Sequence, residues 1–240
     1  MSLKKNISVF VGIPNLSNND RYKNYTGHLL NALATQETTV NILKPYITTP
    51  HAGSFEHGKT SRLDAIIGRM NNIVDKFMTT NASHLFILDG DVEPPPHTID
   101  TLIRHNVDVA SGVYPSHDFE VSRTVIFGEM KKDHRCGVFK PSIWEDIEGQ
   151  VFGEDEAWSG GTGCILIRRR VFKQHHARLP AIRFTRTRDD GVECGGDMLF
   201  WKRVQDAGFT ARVDANVLCG HFPNYRLSNI EEWLYGIEEE

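Results

Sequence analysis

Apolar residues in this chain fall into short unbroken runs separated by longer stretches of helical spacing. Residues 7–13 read Ile-Ser-Val-Phe-Val-Gly-Ile and residues 85–88 read Leu-Phe-Ile-Leu. Such runs suit strands buried on both faces of a parallel sheet. A β-branched stretch at 38–43 and an apolar run at 107–113 predict two more strands. Between them the spacing predicts a helix over 25–34 and a longer one after Ser61. In the latter, Leu63, Ile66, Ile67, Met70, Ile73, Val74, Phe77 and Met78 form one apolar stripe, the mark of a helix facing a core. Ser61 and Asp64 have capping-box spacing. Pro95 or Pro96 suits the first turn of a third helix, with Ile99, Leu102 and Ile103 facing inward. Strand and helix alternating in this way predict an α/β fold, a mostly parallel Rossmann-like sheet with crossover helices.

The second half is less regular. Segments 120–129 and 136–140 read as antiparallel strands, 151–158 as short and acidic, and 164–168 as an apolar strand fed by Gly160, Gly161 and Gly163. Helical patterns occupy 171–177 and 196–207, the second stopped by Gly208. Segment 183–190 reads as a charged surface loop, 209–213 and 216–219 as short strands, and 229–237 as a closing helix. Residues 44–59, rich in Pro, Thr, Gly and His, form a long loop suspected of function or mobility.

A chain of 240 residues can bury a sizeable core. Its formal charge of −4, with basic residues scattered, leaves no electrostatic footprint for nucleic acid. No stretch approaches a membrane span, and the N-terminal apolar run lacks the length and cleavage site of a signal peptide. Cys136, Cys164, Cys194 and Cys219 contain no C-x-x-C pair, which argues against structural zinc and disulfides. The expected setting is cytoplasmic, with no nucleic-acid partner and no transmembrane segment.

The candidate chemistry centres on Asp89-Gly90-Asp91 at the end of the 85–88 strand, after which three prolines forbid further ladder. Ligands of open α/β sheets collect outside the carboxyl ends of the strands. Hard divalent cations prefer carboxylate and phosphate oxygens, so a metal-bound diphosphate suits these acids; a plain Asp-Gly turn is the alternative. Arg62 and Arg69 lie two turns apart on the side of their helix away from the apolar stripe, and Asn71 and Asn72 are poor helix formers placed mid-helix. The glycines at 160–163 allow close approach of backbone to a ligand, or a flexible turn. Asp197 sits at a helix start, where the macrodipole favours a carboxylate.

In order along the chain, these features resemble the GT-A glycosyltransferases, specifically the family-two-like nucleotide-sugar transferases. The matching elements are a first strand ending at Pro14, Arg69 with Asn71 or Asn72, and Leu88-Asp89-Gly90-Asp91. They continue through Gly112-Val113-Tyr114-Pro115, the Gly-Gly-Thr-Gly-Cys-Ile-Leu-Ile-Arg-Arg segment, Gly196-Asp197 with Phe200 and Arg203 before Ala-Gly-Phe, and Gly220-His221. The resemblance covers nearly the whole chain. It implies a nucleotide-sugar-binding half at 1–113 and an acceptor-side half at 114–240 in one continuous domain.

By the same resemblance, Asp91 and His221 would ligate Mn2+ or Mg2+ on the donor diphosphate, and Asp89 would reach the ribose or a metal water. Pro14, Arg62, Arg69, Asn72, Asp89 and the loop Gly161, Thr162 and Gly163 would line the donor, with Trp158 as a stacking platform. Asp197 would be the general base of an inverting transfer from a nucleoside-diphosphate sugar to an acceptor hydroxyl on a glycan, lipid or small molecule. The chain departs from the family pattern at Gly196, where an acidic partner is commoner, which leaves a retaining mechanism open. It also lacks an acid at the end of the second strand, where Asn41 is the nearest polar residue.

The rival readings are a nucleotide-sugar-binding module without turnover, a nucleotidyltransferase and a haloacid-dehalogenase-like phosphatase. The second lacks its glycine-rich loop with trailing Arg and Lys. The third is disfavoured because Glu93 stands where Thr or Val is usual. An EF-hand loop fails at Pro94, where glycine is needed.

Overall fold

Strand and helix alternate through the first half of the chain as the apolar pattern requires. The computed structural model describes residues 7–14, 20–48, 62–115, 124–129, 140–153, 158–173, 181–189, 192–194 and 196–222. The first half contains β1 (Ser8–Ile13), α1 (Asp20–Ala34), β2 (Asn41–Ile42), β3 (Tyr46–Ile47), α2 (Arg62–Met78), β4 (His84–Leu88), β5 (Val92–Glu93), α3 (Thr98–Arg104) and β6 (Val109–Val113). Next come β7 (Thr124–Glu129), β8 (Lys140–Ile143), α4 (Trp144–Ile147), β9 (Val151–Phe152), β10 (Trp158–Gly160) and β11 (Cys164–Arg168). After a 3-10 turn at Arg169–Phe172 follow β12 (Thr187–Asp189), β13 (Val192–Cys194), α5 (Gly196–Asp206), β14 (Ala211–Leu218) and β15 (Gly220–His221).

The main sheet runs β2-β1-β4-β11-β6-β14-β9, with β3 also paired to β1. β1 is parallel to β2, β3 and β4, and β14 is parallel to β6. β11 enters antiparallel between β4 and β6, and β9 closes the edge antiparallel to β14. Burial on both faces explains the unbroken apolar run of β4. Leu85 and Ile87 join one core layer with Met70, Ile73, Val74 and Phe77 of α2, while Phe86 and Leu88 join the other with Ile99 and Leu102 of α3. Gly12 lets α2 settle onto β1: a Cβ there would lie 2.2 Å from Ile73 Cγ2.

Several elements differ from the sequence reading. The helix expected over 25–34 begins at Asp20. The strand expected over 38–43 shrinks to Asn41–Ile42, because the Thr38 hydroxyl and Thr39 N–H both donate to Asp100 (2.5 and 3.3 Å) instead of entering the ladder. Within the expected loop 44–59, Tyr46 and Ile47 pair with β1. Of the helix expected over 171–177, the described residues form the end of a 3-10 turn, Arg169–Phe172, after which Lys173 takes an extended backbone; 174–177 lie outside the described residues.

Of segment 183–190, the described residues 183–189 are not all surface loop: Phe184 is buried and stacks on Phe200 (centroids 4.6 Å apart), Arg186 is exposed, and 187–189 form β12. The backbone at Phe184 is clamped by the Asn71 amide, which donates to Phe184 O (2.8 Å) and accepts from Phe184 N (3.0 Å). The two strands expected at 209–213 and 216–219 are one strand, β14, with an irregular register between Val213 and Leu218. The antiparallel pairing expected of 120–129 with 136–140 is found between 124–129 and 140–143, so the second strand lies later in the chain, and residues 120–123 and 136–139 lie outside the described residues. Ser61, the 131–134 turn and the 229–237 helix lie outside the described residues.

Arg169 closes the C-terminal end of α2. It donates to the carbonyls of Ala82 (2.6 Å), Thr80 (2.9 Å), Phe77 (3.0 Å) and Met78 (3.4 Å), with its guanidinium over the Phe77 ring. Hydrogen bonds from a charged donor are the stronger kind, and the orphaned carbonyls add to the cost of losing them. Arg169→Ala is expected to lower unfolding free energy by about 2–4 kcal/mol, read from the midpoint of urea denaturation. A loss below about 0.5 kcal/mol, the range of ordinary surface substitutions, would count against this role.

Candidate active site

The acids sit where β4 runs out. Asp89 N–H donates to Gly163 O (2.8 Å), and Asp89 O accepts from Val92 N (3.1 Å), turning the chain back into β5. There Val92 and Glu93 pair antiparallel with His221 and Gly220 of β15, and Phe222 N–H donates to Asp91 O (2.8 Å). This short ladder brings the C-terminal imidazole to the acidic motif, with His221 Nε2 3.8 Å from Asp91 Oδ2. His221 Nδ1 lies 2.6 Å from the Pro115 carbonyl. A carbonyl only accepts, so Nδ1 carries a proton, and Nε2 is the nitrogen that faces Asp91. The separation is too long for a hydrogen bond, yet an ion with ligand distances of about 2.0–2.2 Å could touch both atoms.

Among the described residues no three His, Cys, Asp or Glu side chains converge closely enough to hold an ion alone. A cation here would complete its shell from ligand oxygens and water, as Mg2+ on nucleotide phosphates does. A carboxylate and an imidazole with its second nitrogen fixed are donors that fit Mn2+ or Mg2+.

Asp89 and Asp197 are partly accessible, yet protein surrounds both carboxyls closely enough for desolvation to dominate. Burial, then the charges of Asp91 and Asp197, push the Asp89 carboxyl well above the usual carboxylate range. Burial also raises Asp197, against hydrogen bonds from the Thr162 hydroxyl, its own N–H and Thr162 N–H. A helix start should favour its charged form, so desolvation outweighs the dipole here. Tyr114, at the end of β6, was part of a motif but had no role in the sequence reading. Its buried hydroxyl accepts the Gly163 N–H (3.0 Å), and its ring packs edge-on to His221 (5.3 Å, 80°). Burial and the neighbouring acids keep it a phenol.

The other residues named from sequence are placed as follows. Pro14 is buried, and its carbonyl lies 3.8 Å from where a Cβ on Gly90 would stand, so β1 ends beside the acids. Gly161, Thr162 and Gly163 are buried against Asp89 and Asp197. Arg69 does not face solvent: it is 6 % exposed, and neither terminal nitrogen has a hydrogen-bond partner among the described residues. The apolar arc of α2 is wider than the stripe suggested, and it takes in Arg69, one turn before the Ile73 that packs on Gly12.

Asn72 is exposed and accepts from Tyr46 Oη (2.7 Å), while Asn71 holds Phe184. The side chains of Arg62 and Trp158 lie outside the described residues. At Gly196 a Cβ would meet Ile67 Cγ1 at 3.3 Å, so the missing acidic partner coincides with tight packing of α5 on α2. A cavity of about 150 Å3 beside Phe152, Trp201, Phe209 and Arg212 contains none of these acids.

No protein-family model and no curated protein sequence matches this chain. Solved structures do. A197 from STIV matches with a TM-score of 0.52 and 14% identity, over 91% of this chain and 86% of that one. A CMP:2-keto-3-deoxy-manno-octonic acid synthetase complexed with CTP matches at 0.45 and 13%, over 94% and 96%. The inositol-1-phosphate CTP transferase from T. maritima matches at 0.39 and 14%, over 97% and 77%. At such identities the likeness concerns fold alone, and only the first is close enough to argue from. The architecture is the expected one: α/β of the GT-A kind, a mostly parallel Rossmann-like sheet with an antiparallel portion.

A raised Asp89 has a consequence for stability. The folded chain holds that proton more tightly than the unfolded chain, so the stability it contributes is present below about pH 4. It is lost as pH rises toward the elevated folded value. Asp89→Asn is therefore expected to raise the melting temperature at pH 7 in metal-free buffer and to change it little at pH 4. Calorimetric scans at both pH values check this, and a lower melting temperature at pH 7 contradicts it.

Proposed function

We propose that this protein is a metal-dependent glycosyltransferase that moves a sugar from a nucleoside-diphosphate donor to an acceptor hydroxyl, with inversion. The observation that carries the reading is the approach of His221 Nε2 to Asp91 at the end of the central strand, with the other imidazole nitrogen tied to Pro115. A divalent cation bound there would neutralise charge on the departing nucleoside diphosphate. Asp89 would hold the ribose or a metal-bound water, and Arg69, a buried guanidinium with no described partner, would meet a ligand anion. Pro14, Arg62, Asn72 and the 161–163 loop would complete the donor's walls.

Asp197 would take the acceptor's proton through its carboxylate, and burial raises its proton affinity, the direction that favours a general base. Glycan, lipid and small-molecule acceptors all offer the hydroxyl that this step needs. The division into a donor half at 1–113 and an acceptor half at 114–240 follows from these roles. A nucleotide-sugar-binding module without turnover is the second reading, favoured by Gly196, which supplies no second acid and packs closely on Ile67.

Asp91→Ala is expected to weaken manganese-dependent binding of nucleoside diphosphates more than about tenfold, with the fold intact by circular dichroism. Titration calorimetry with and without manganese checks this, and unchanged affinity would remove the cation site. Asp197→Asn is expected to bind donor as the parent does and to lose transfer. Retained transfer would take the base role from it, and a parent that binds donor but never turns it over would favour the module.

A further inference from the structure

We propose that Tyr114 is a positioning residue of this site, holding the glycine loop, Asp89 and His221 in fixed relation; the inference rests on the transferase reading above. Tyr114 directly follows β6 and is 5 % exposed. Both polar groups of the Gly163 backbone are committed to the site: its N–H goes to Tyr114 Oη (3.0 Å), and its carbonyl accepts from Asp89 N (2.8 Å). Gly163 therefore hangs between the end of β6 and the end of β4. A Cβ on Gly163 would stand 2.8 Å from Tyr114 Oη and Cζ and 2.9 Å from Asp89 Oδ2. Hydroxyl and carboxylate thus share one small space, which only glycine leaves open.

The same Tyr114 ring lies edge-on to His221 at 5.3 Å, and the next carbonyl along, that of Pro115, fixes His221 Nδ1. Thr162, just before Gly163, holds the Asp197 carboxylate. One phenol thus links the residues assigned to the cation and, through two residues of loop, the residue assigned to the proton. No ladder pairs residues 161–163, so their height over the acids is fixed by a few single bonds: Asp89 N–H on the Gly163 carbonyl, Thr162 on Asp197, and the Tyr114 hydroxyl on the Gly163 N–H. Without the hydroxyl the Gly163 N–H loses its partner in a buried place, and the loop relaxes. An error of about 1 Å between reacting groups can cost about a hundredfold in rate. Donor affinity, set largely by cation and phosphate contacts, should change little.

The test compares the parent with Tyr114→Phe, which keeps the ring and removes only the hydroxyl. Release of nucleoside diphosphate is followed with manganese and a panel of uridine, guanosine and thymidine diphosphate sugars. The expected result is a fall in kcat of about ten- to a hundredfold with donor KM within about threefold, the pattern of lost transition-state positioning. Gly163→Ala, which forces a methyl between Tyr114 and Asp89, should lower kcat at least as far, with donor KM free to rise, and it decides the matter if Tyr114→Phe does not melt cooperatively. If both variants keep the parent's kcat once it is normalised to the folded fraction of each preparation, the positioning role is overturned while the transferase reading stands. If the parent itself releases no nucleoside diphosphate from any donor, the transferase reading fails and this role fails with it.

Discussion

A ladder of two residues on each side, β5 against β15, sets the geometry of the site. A hairpin of that length has no stability of its own in water. It persists here because Val92 is fully buried and because the strand leading to Gly220, β14, is held along β6. The ladder fixes which face of His221 meets which face of Asp91, and the Phe222 N–H on the Asp91 carbonyl prevents slippage. A one-residue slip would turn the imidazole to the opposite face.

Around this ladder the protein concentrates groups that do not suit an unliganded interior. Asp89 and Asp197 are driven toward their neutral forms by burial, and on α2 Arg69 is enclosed with no described partner. Carboxyls crowded together away from water are poor for stability and good for receiving a cation. Departures from local consistency of this kind gather at functional sites. Elsewhere the buried acids are paired: Asp108 with Arg170 and Thr210, and Asp214 with His105 and Asn216.

The sequence showed most where the pattern was long or unbroken. β4 and α2 follow from their apolar residues alone, and the closeness of Asp91 and His221 followed from family resemblance rather than from any local pattern. Where side chains replace backbone as partners, the pattern misled. Asn71 supplies the hydrogen bonds that hold Phe184 in the core, and Asp100 draws Thr38 and Thr39 out of a strand that their β-branching suggested. Helical spacing puts Arg69 on the side of α2 away from the apolar stripe, yet that helix is covered over a wider arc and Arg69 is buried. Tyr114 could have been found from its place directly after a buried strand, beside a motif rich in acids, although its link to Gly163 spans 49 residues.

The insertion of β11 between β4 and β6 also bears on synthesis. A chain emerging from the ribosome completes β6 at Val113 but lacks the strand that joins β6 to β4 until Arg168 has been added. At about 5–20 residues per second that interval lasts seconds. Throughout it, two apolar strands present open hydrogen-bonding edges, the feature that invites pairing with other chains. The nascent protein is thus most vulnerable midway through translation, and chaperone demand should peak there.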